Sequence, residues 1–188
     1  MKKAFFIFVL LLATLTAGAQ DIQLTHDGAY EKKEVVTVDS VSAAVLYDRA
    51  MMALTDWTGP DGKAKAGIDY QNQETHTVVY KGRFYAGNRK WMMTQIDRYA
   101  NFTVKVRCKD GRAQVTVNVG TITSTVASNG RSQTMTIGKA IEELKKTSGS
   151  RRDRGEEAVA YITGTADNIL ASMKAALAAD GGGNDDDF

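Results

Sequence analysis

One cysteine, one proline and two histidines are all that this 188-residue chain holds of those three residue types. Cys108 has no partner, so no internal disulfide can form and the fold must stand on its apolar core. No cysteine or carboxylate set at metal-ligand spacing surrounds His26 or His76, which leaves them structural or surface residues and assigns no metal site. Long apolar runs are also missing. The run from Ala4 to Leu15 is shorter than the roughly 20 residues needed to cross a bilayer core.

That run has another reading. Lys2 and Lys3 precede it and Ala17-Gly18-Ala19 follows it, the order of a secretory signal cut after a small-x-small site. Residues 1–19 are therefore expected to be removed on export, with a mature chain starting at Gln20 and no membrane span. No cysteine follows the cut to take a lipid. Loss of Lys2 and Lys3 leaves 22 of the 24 basic residues against 22 acidic ones. The mature chain is formally neutral, so no long-range field steers a polyanion to it, and nucleic acid is not an expected partner.

Catalytic signatures are absent too. There is no G-x-S-x-G elbow, and the three glycines Gly181–Gly183 have neither a phosphate-loop lysine nor a following helix. Glu142-Glu143 and Glu156-Glu157 read as helix surface, although two acids brought together by a fold leave no local trace. Cys108 lies on the apolar side of a strand and behaves as a small hydrophobe. No catalytic residue and no cofactor is assigned.

What the chain does have is periodicity. About 170 mature residues suit one domain. Residues 20–29 read as a flexible leader, and Tyr30 to Val38 as a strand. Asp39-Ser40 reads as the cap of a helix with Val41, Ala44, Val45, Tyr47, Met51, Met52 and Leu54 on one face, stopped by Gly59-Pro60-Asp61-Gly62. A short strand at Gly67 to Tyr70, a turn at Gln71 to Glu74 and a strand from Thr75 to Tyr85 follow. Residues 86–97 read as a loop in which Trp91, Met92 and Met93 fold back on the core.

The clearest signal is VKVRCKDGRAQVTV. Phe102, Val104, Val106 and Cys108 alternate with Thr103, Lys105, Arg107 and Lys109, and Val115, Val117 and Val119 alternate with polar residues beyond the bend. Asp110-Gly111 is a two-residue hairpin turn with positive φ expected at both positions. The parity switches at Gly120, which predicts a bulge there. Beyond it come a polar stretch from Ser124 to Gln133, a short helix at Ile137 to Lys146 and a charged linker, TSGSRRDRGEE. A proline-free helix from about Asp153 to Ala179 closes the domain, with Val159, Ile162, Ala166, Ile169, Leu170, Met173 and Leu177 as its stripe and Glu156 and Glu157 in its first turn. Residues 180–188 read as a disordered acidic tail. The fold class is α+β: an antiparallel sheet with a helix after the first strand and a long C-terminal helix packed on one face.

This order, with LYDRAMMALTDW in the first helix, YKGRF in a middle strand and RCKDGR at the hairpin, resembles an exported domain of unknown function of Bacteroidota. The resemblance covers Tyr30 to Thr123 and implies a fold like that of the TATA-box-binding protein. It implies no activity. With the signal in residues 1–19 it points to a periplasmic or secreted bacterial protein, and beside a hydrolase without a recognisable constellation two ways of working are open. One is a non-enzymatic envelope module that meets a protein or polymer through its polar sheet face, where Lys105, Arg107, Lys109 and Arg112 form a basic stripe, or through its tails. The other is a carrier of an apolar small molecule, lined by Tyr80, Phe84, Phe102, Val104, Val117, Ile162, Ile169 and Met173, residues that equally make a closed core.

Overall fold

Val104, Val106, Val115 and Val117, the alternating valines of the predicted hairpin, are fully buried at the centre of a six-stranded antiparallel sheet. The computed structural model describes residues 24–56, 65–91 and 94–179. In chain order it has β1 (Tyr30–Thr37), α1 (Ala43–Asp56), β2 (Lys65–Asn72), β3 (Thr77–Trp91), β4 (Thr94–Lys109), β5 (Arg112–Val126), β6 (Ser132–Thr136), α2 (Ile137–Lys145) and α3 (Ser150–Ala178). The strands are ordered β1-β5-β4-β3-β2, and β6 pairs with the far end of β5. The predicted signal, the Gly59 to Gly62 stop, Met92, Met93 and the 180–188 tail lie outside the described residues, as does the side chain of Trp91.

The bulge falls at Gly120. Asn101 pairs with Thr121 and Phe102 with Val119, so Gly120 is the extra residue, and Ile122 returns to the buried face. The same residue divides one edge of β5 between two partners. β1 pairs with Arg112 to Val119, and β6 with Thr121 to Thr125.

α1 and α3 cover one face of this sheet, α1 over the β4 side and α3 over β5 and β1. The stripe expected on α3 is buried in full: Val159, Ile162, Ala166, Ile169, Leu170, Met173 and Leu177. α3 also meets β1 through charge, because the inward parity of this edge strand carries Lys32 and Glu34. Lys32 pairs with Asp167 at 2.6 Å, and Glu34 pairs with Lys174. Inward-pointing charge on an outer strand also discourages a further strand from adding there.

Several expectations are corrected. On α1 the buried positions are Ala43, Leu46, Tyr47, Ala50 and Leu54, while Val45 and Met52 face outward, Met52 at 67% exposure. The apolar residues occupy more of the circumference than one stripe, so composition could not choose the face. Neither Asp39 nor Ser40 caps the helix; Ser42 does, its Oγ accepting from the Val45 amide at 3.4 Å. Residues 86–91 and 94–97 are no loop. β3 and β4 continue as a long hairpin with Asn88 opposite Asp97, reached through an irregularity after Tyr85 where Gly87 takes φ +95°.

His76 is in the β2–β3 turn at φ 45°, not in a strand, and Gln71 and Asn72 belong to β2. The polar stretch before α2 holds the end of β5 and part of β6. There Thr123 and Thr134 hydroxyls hydrogen-bond at 3.0 Å, as do Thr125 and Ser132. Hydroxyls that pair across strands leave no hydrophobic alternation to read. The RRDRGEE part of the supposed linker is the start of α3, which places Glu156 and Glu157 beyond its first turn. Residues 24–29, read as leader, form a turn in which the Gly28 carbonyl accepts from the Gly138 amide at 2.8 Å and Ala29 is buried.

Candidate functional site

Strand alternation sends half of the sheet's side chains away from the helices, and among the described residues no helix covers that side. On central β4 this open parity holds Lys105, Arg107 and Lys109, about 7 Å apart from one to the next. Arg112 stands directly opposite Lys109 on β5. Like charges opposite one another across strands repel. No carboxylate lies within ion-pair distance of these four cations among the described residues. An incoming anion therefore relieves repulsion instead of displacing a partner.

The four cations line a groove of about 720 Å³ at the hairpin end of the open face. Its walls come from all five long strands. Val35 of β1 and Tyr70 of β2 flank it, at 52% and 48% exposure, with Val79 and Gln114 between. A second concavity, about 470 Å³, adjoins it around Lys81, Arg83, Asn101 and Thr121. There Arg83 lies 5.1 Å over the Tyr99 ring, Lys81 pairs with Asp69 at 2.9 Å, and Asn101 donates to Thr121 at 2.8 Å. The first groove is thus a cationic slot with apolar shoulders, and its neighbour is already satisfied internally.

The sequence-predicted basic stripe is brought together here. Val35 and Tyr70 were missed, because only strand pairing shows that β1 and β2 turn these side chains to the same face. In β1 the buried Val36 would have been the available clue, since Val35 must then point outward.

The eight apolar candidates are brought together on the other side, as core. Tyr80, Phe84, Phe102, Val104, Val117, Ile162, Ile169 and Met173 are all 4% exposed or less and belong to one packed cluster. The Phe102 ring sits 5.8 Å from Phe84 and 6.2 Å from Tyr80. Burial raises the Tyr80 phenol above its ordinary range, so it is uncharged at neutral pH.

Residues 33–120 match the family model described as a domain of unknown function, DUF4468, with a TBP-like fold. The likeness to that family lies in this segment. Two solved structures are similar in fold over about four fifths of the chain. A DUF4468 family protein from Bacteroides ovatus is 17% identical, covering 82% of this chain and 89% of its own, with a TM-score of 0.53. A TBP-like protein from Parabacteroides distasonis is 10% identical, covering 83% and 96%, with a TM-score of 0.57. No curated protein matches the chain. At such identities the likeness is one of fold: an α+β antiparallel sheet with its helices, as expected from the sequence. No described helix is long and apolar enough to cross a membrane.

All four cations of the groove lie inside the segment that matches the family model, and so does the residue that fixes their turn. Of the Asp110-Gly111 pair only Gly111 takes positive φ, at 71°, which corrects the expected turn geometry. Asp110 instead accepts from the Ala43 amide with its Oδ1 at 2.8 Å, at the first residue of α1. The Gly111 amide donates to the Val41 carbonyl, and its own carbonyl accepts from Val38, at 2.8 and 2.9 Å. KDGR is a bend, and the bend clamps the β1–α1 connection. Asp110→Ala is expected to cost about 1 kcal/mol, the usual worth of an N-terminal helix acceptor. Urea denaturation checks this, and Asp110→Asn, which keeps an oxygen acceptor, should lose less.

Cys108 ends the buried side of β4, and burial pushes its thiol up to about 11. A thiol that stays protonated is a poor nucleophile. Native protein at pH 7.5 should therefore resist iodoacetamide at Cys108 and react stoichiometrically once unfolded in urea, as read by intact mass. Because the folded thiol is the weaker acid, its contribution to stability is complete below the ordinary thiol value and is lost as pH rises towards 11.

Proposed function

We propose that this protein is an exported, non-enzymatic binding module of the bacterial envelope that takes an anionic protein or polymer on the open face of its sheet. One observation carries the reading: four cations with no acidic partner among the described residues, gathered in a groove on a sheet face that no described helix covers. A folded domain has no structural reason to cluster like charge where nothing neutralises it, and the repulsion is relieved by an anion in the slot. The apolar shoulders Val35 and Tyr70 add area that a bound chain would remove from water.

Export supports an envelope setting and rests on the order of charge, apolar run and small residues in positions 1–19. The near-neutral net charge of the mature chain suits short-range recognition at the groove over long-range capture of a highly charged polymer. The test is affinity capture from envelope extract with the mature protein as bait, beside a bait carrying Lys105→Glu and Arg107→Glu. A stoichiometric partner held by the first bait and not by the second is the expected result. Equal recovery on both baits would exclude this face.

A further inference from the structure

We propose that Asn129 is a site of self-modification: in the folded protein its side-chain amide is lost to attack by the next backbone nitrogen, leaving aspartate or isoaspartate in the β5–β6 turn. This chemistry asks nothing of the groove and stands whatever partner the open face takes. Ring closure onto the backbone is hindered by a side chain on the following residue, and Asn129 alone among the asparagines is followed by glycine. Residues 127–134 are all exposed, so water and solvent base reach the turn.

The turn also polarises the group to be attacked. Asn129 Oδ1 accepts from the Arg131 backbone amide at 3.0 Å. When the Gly130 nitrogen gives its proton to solvent base and bonds to Asn129 Cγ, the electron pair of the C=O bond moves onto that same Oδ1. The Arg131 N–H then stabilises the charge, as an oxyanion-hole donor does. The Cγ–Nδ2 bond breaks, Nδ2 takes a proton and leaves as ammonia, and a cyclic imide joins the two residues. Water adding at Cγ opens the imide to aspartate; water adding at the main-chain carbonyl opens it to isoaspartate. One water enters, one ammonia leaves, and nothing is oxidised or reduced.

One contact opposes the reaction. The Gly130 amide donates to the Val126 carbonyl at 2.8 Å and must be freed before its nitrogen can attack. That bond closes a short exposed turn, so freeing it takes only local fraying. The hairpin turn at the other end of β5 shows the contrast. Gly111 also has positive φ, yet its amide is bound to the Val41 carbonyl and Asp110 Oδ1 to the Ala43 amide, both at 2.8 Å. Freeing that pair means undoing the β1–α1 connection, so the fold shields one turn and leaves the other open. Conversion at Asn129 adds a negative charge and, as isoaspartate, one backbone carbon. β6, held to β5 by the Val126 amide on the Arg131 carbonyl and by the Thr125–Ser132 hydroxyls, is the element that should loosen.

The experiment ages the folded mature protein in mildly alkaline buffer made with heavy-oxygen water. Peptides are then mapped by electron-transfer fragmentation, which separates isoaspartate from aspartate. Asn129 is expected to convert first, in both linkages and with one heavy oxygen, while Asn101, Asn118 and Asp110 stay unchanged. Gly130→Ala should slow the loss roughly tenfold, because its methyl hinders the approach of nitrogen to Cγ. A Cβ there meets no neighbouring atom, so the variant keeps the fold and bears only the strain of φ 68°. Hydrogen exchange at the Val126 and Gly130 amides should quicken in the aged protein more than in Asn129→Asp, since only isoaspartate lengthens the backbone. An Asn129 that stays intact in the folded chain and converts in urea would overturn the proposal, because the Val126 bond would then protect the turn. Undiminished loss in Gly130→Ala, or earlier conversion of another asparagine, would overturn it as well.

Discussion

Phe84→Ala is expected to lower the free energy of unfolding by about 3–5 kcal/mol, the range for removing a large aromatic side chain from a packed core. Phe84 is 1% exposed and stands where sheet and helix layer meet. Its ring lies 5.8 Å from Phe102 and 6.1 Å from Tyr161 of α3, the second contact edge-on. Tyr161 is itself 46% exposed, so the helix has an outer residue there and little with which to fill the space left behind. For a chain of this size the midpoint should fall by about 10 °C, at roughly 2–4 °C for each kcal/mol. Thermal and urea denaturation give the value. A loss below about 1 kcal/mol would mean loose packing at this point, and would return attention to an apolar ligand between sheet and helix.

The second large effect is on binding. Lys105→Glu with Arg107→Glu is expected to reduce partner retention at least tenfold, because two attractions become repulsions in the middle of the slot. Stability should change little, since Arg107 is exposed, Lys105 half-exposed, and neither carries an ion pair among the described residues. Converting two of four neighbouring like charges lowers their mutual repulsion in the free protein, so a partner lost while the midpoint holds is lost from the surface itself. Lys139→Glu with Lys145→Glu on α2, away from the sheet's open face, is the matched control. With a Debye length of about 8 Å at physiological salt, retention by the native face should also weaken as salt is raised.

The fold was legible where a single physical rule acts along the chain. In the Asp110-Gly111 hairpin each inward residue is apolar and each outward one polar, so alternation alone gives two strands, their faces and the bulge at Gly120. In α3 the seven predicted apolar positions are all buried, because polar residues separate them at helical spacing. Where residues of one kind occupy every direction the rule has nothing to act on. α1 is that case: Val45 and Met52 are as apolar as Leu46 and Leu54, and only contact with the sheet separates them. β6 is the polar counterpart, a strand held by backbone pairing and hydroxyl contacts with β5 that no hydrophobic period records.

The candidate site divides along the same line. Lys105, Arg107, Lys109 and Arg112 could be placed on one side of a hairpin from their numbering, yet whether that side meets helices or solvent depends on which faces α1 and α3 cover. The eight apolar candidates were visible as a set, and their burial against one another follows from three-dimensional closure of the layers. Asp110 shows the limit most plainly. Its turn could be read locally, while its bond to the Ala43 amide joins residues 67 positions apart.

By itself, then, the sequence determined the strands that alternate, the long final helix, the family resemblance and the lack of any catalytic or metal-ligand pattern, since each is written in near neighbours. The tertiary structure decided which side of the sheet stays open, that Val35 and Tyr70 join the cations there, and that Asp110 clamps the first helix. Those facts depend on strand pairing and layer packing between residues far apart in the chain, and sequence separation carries no direction in space until the sheet has closed.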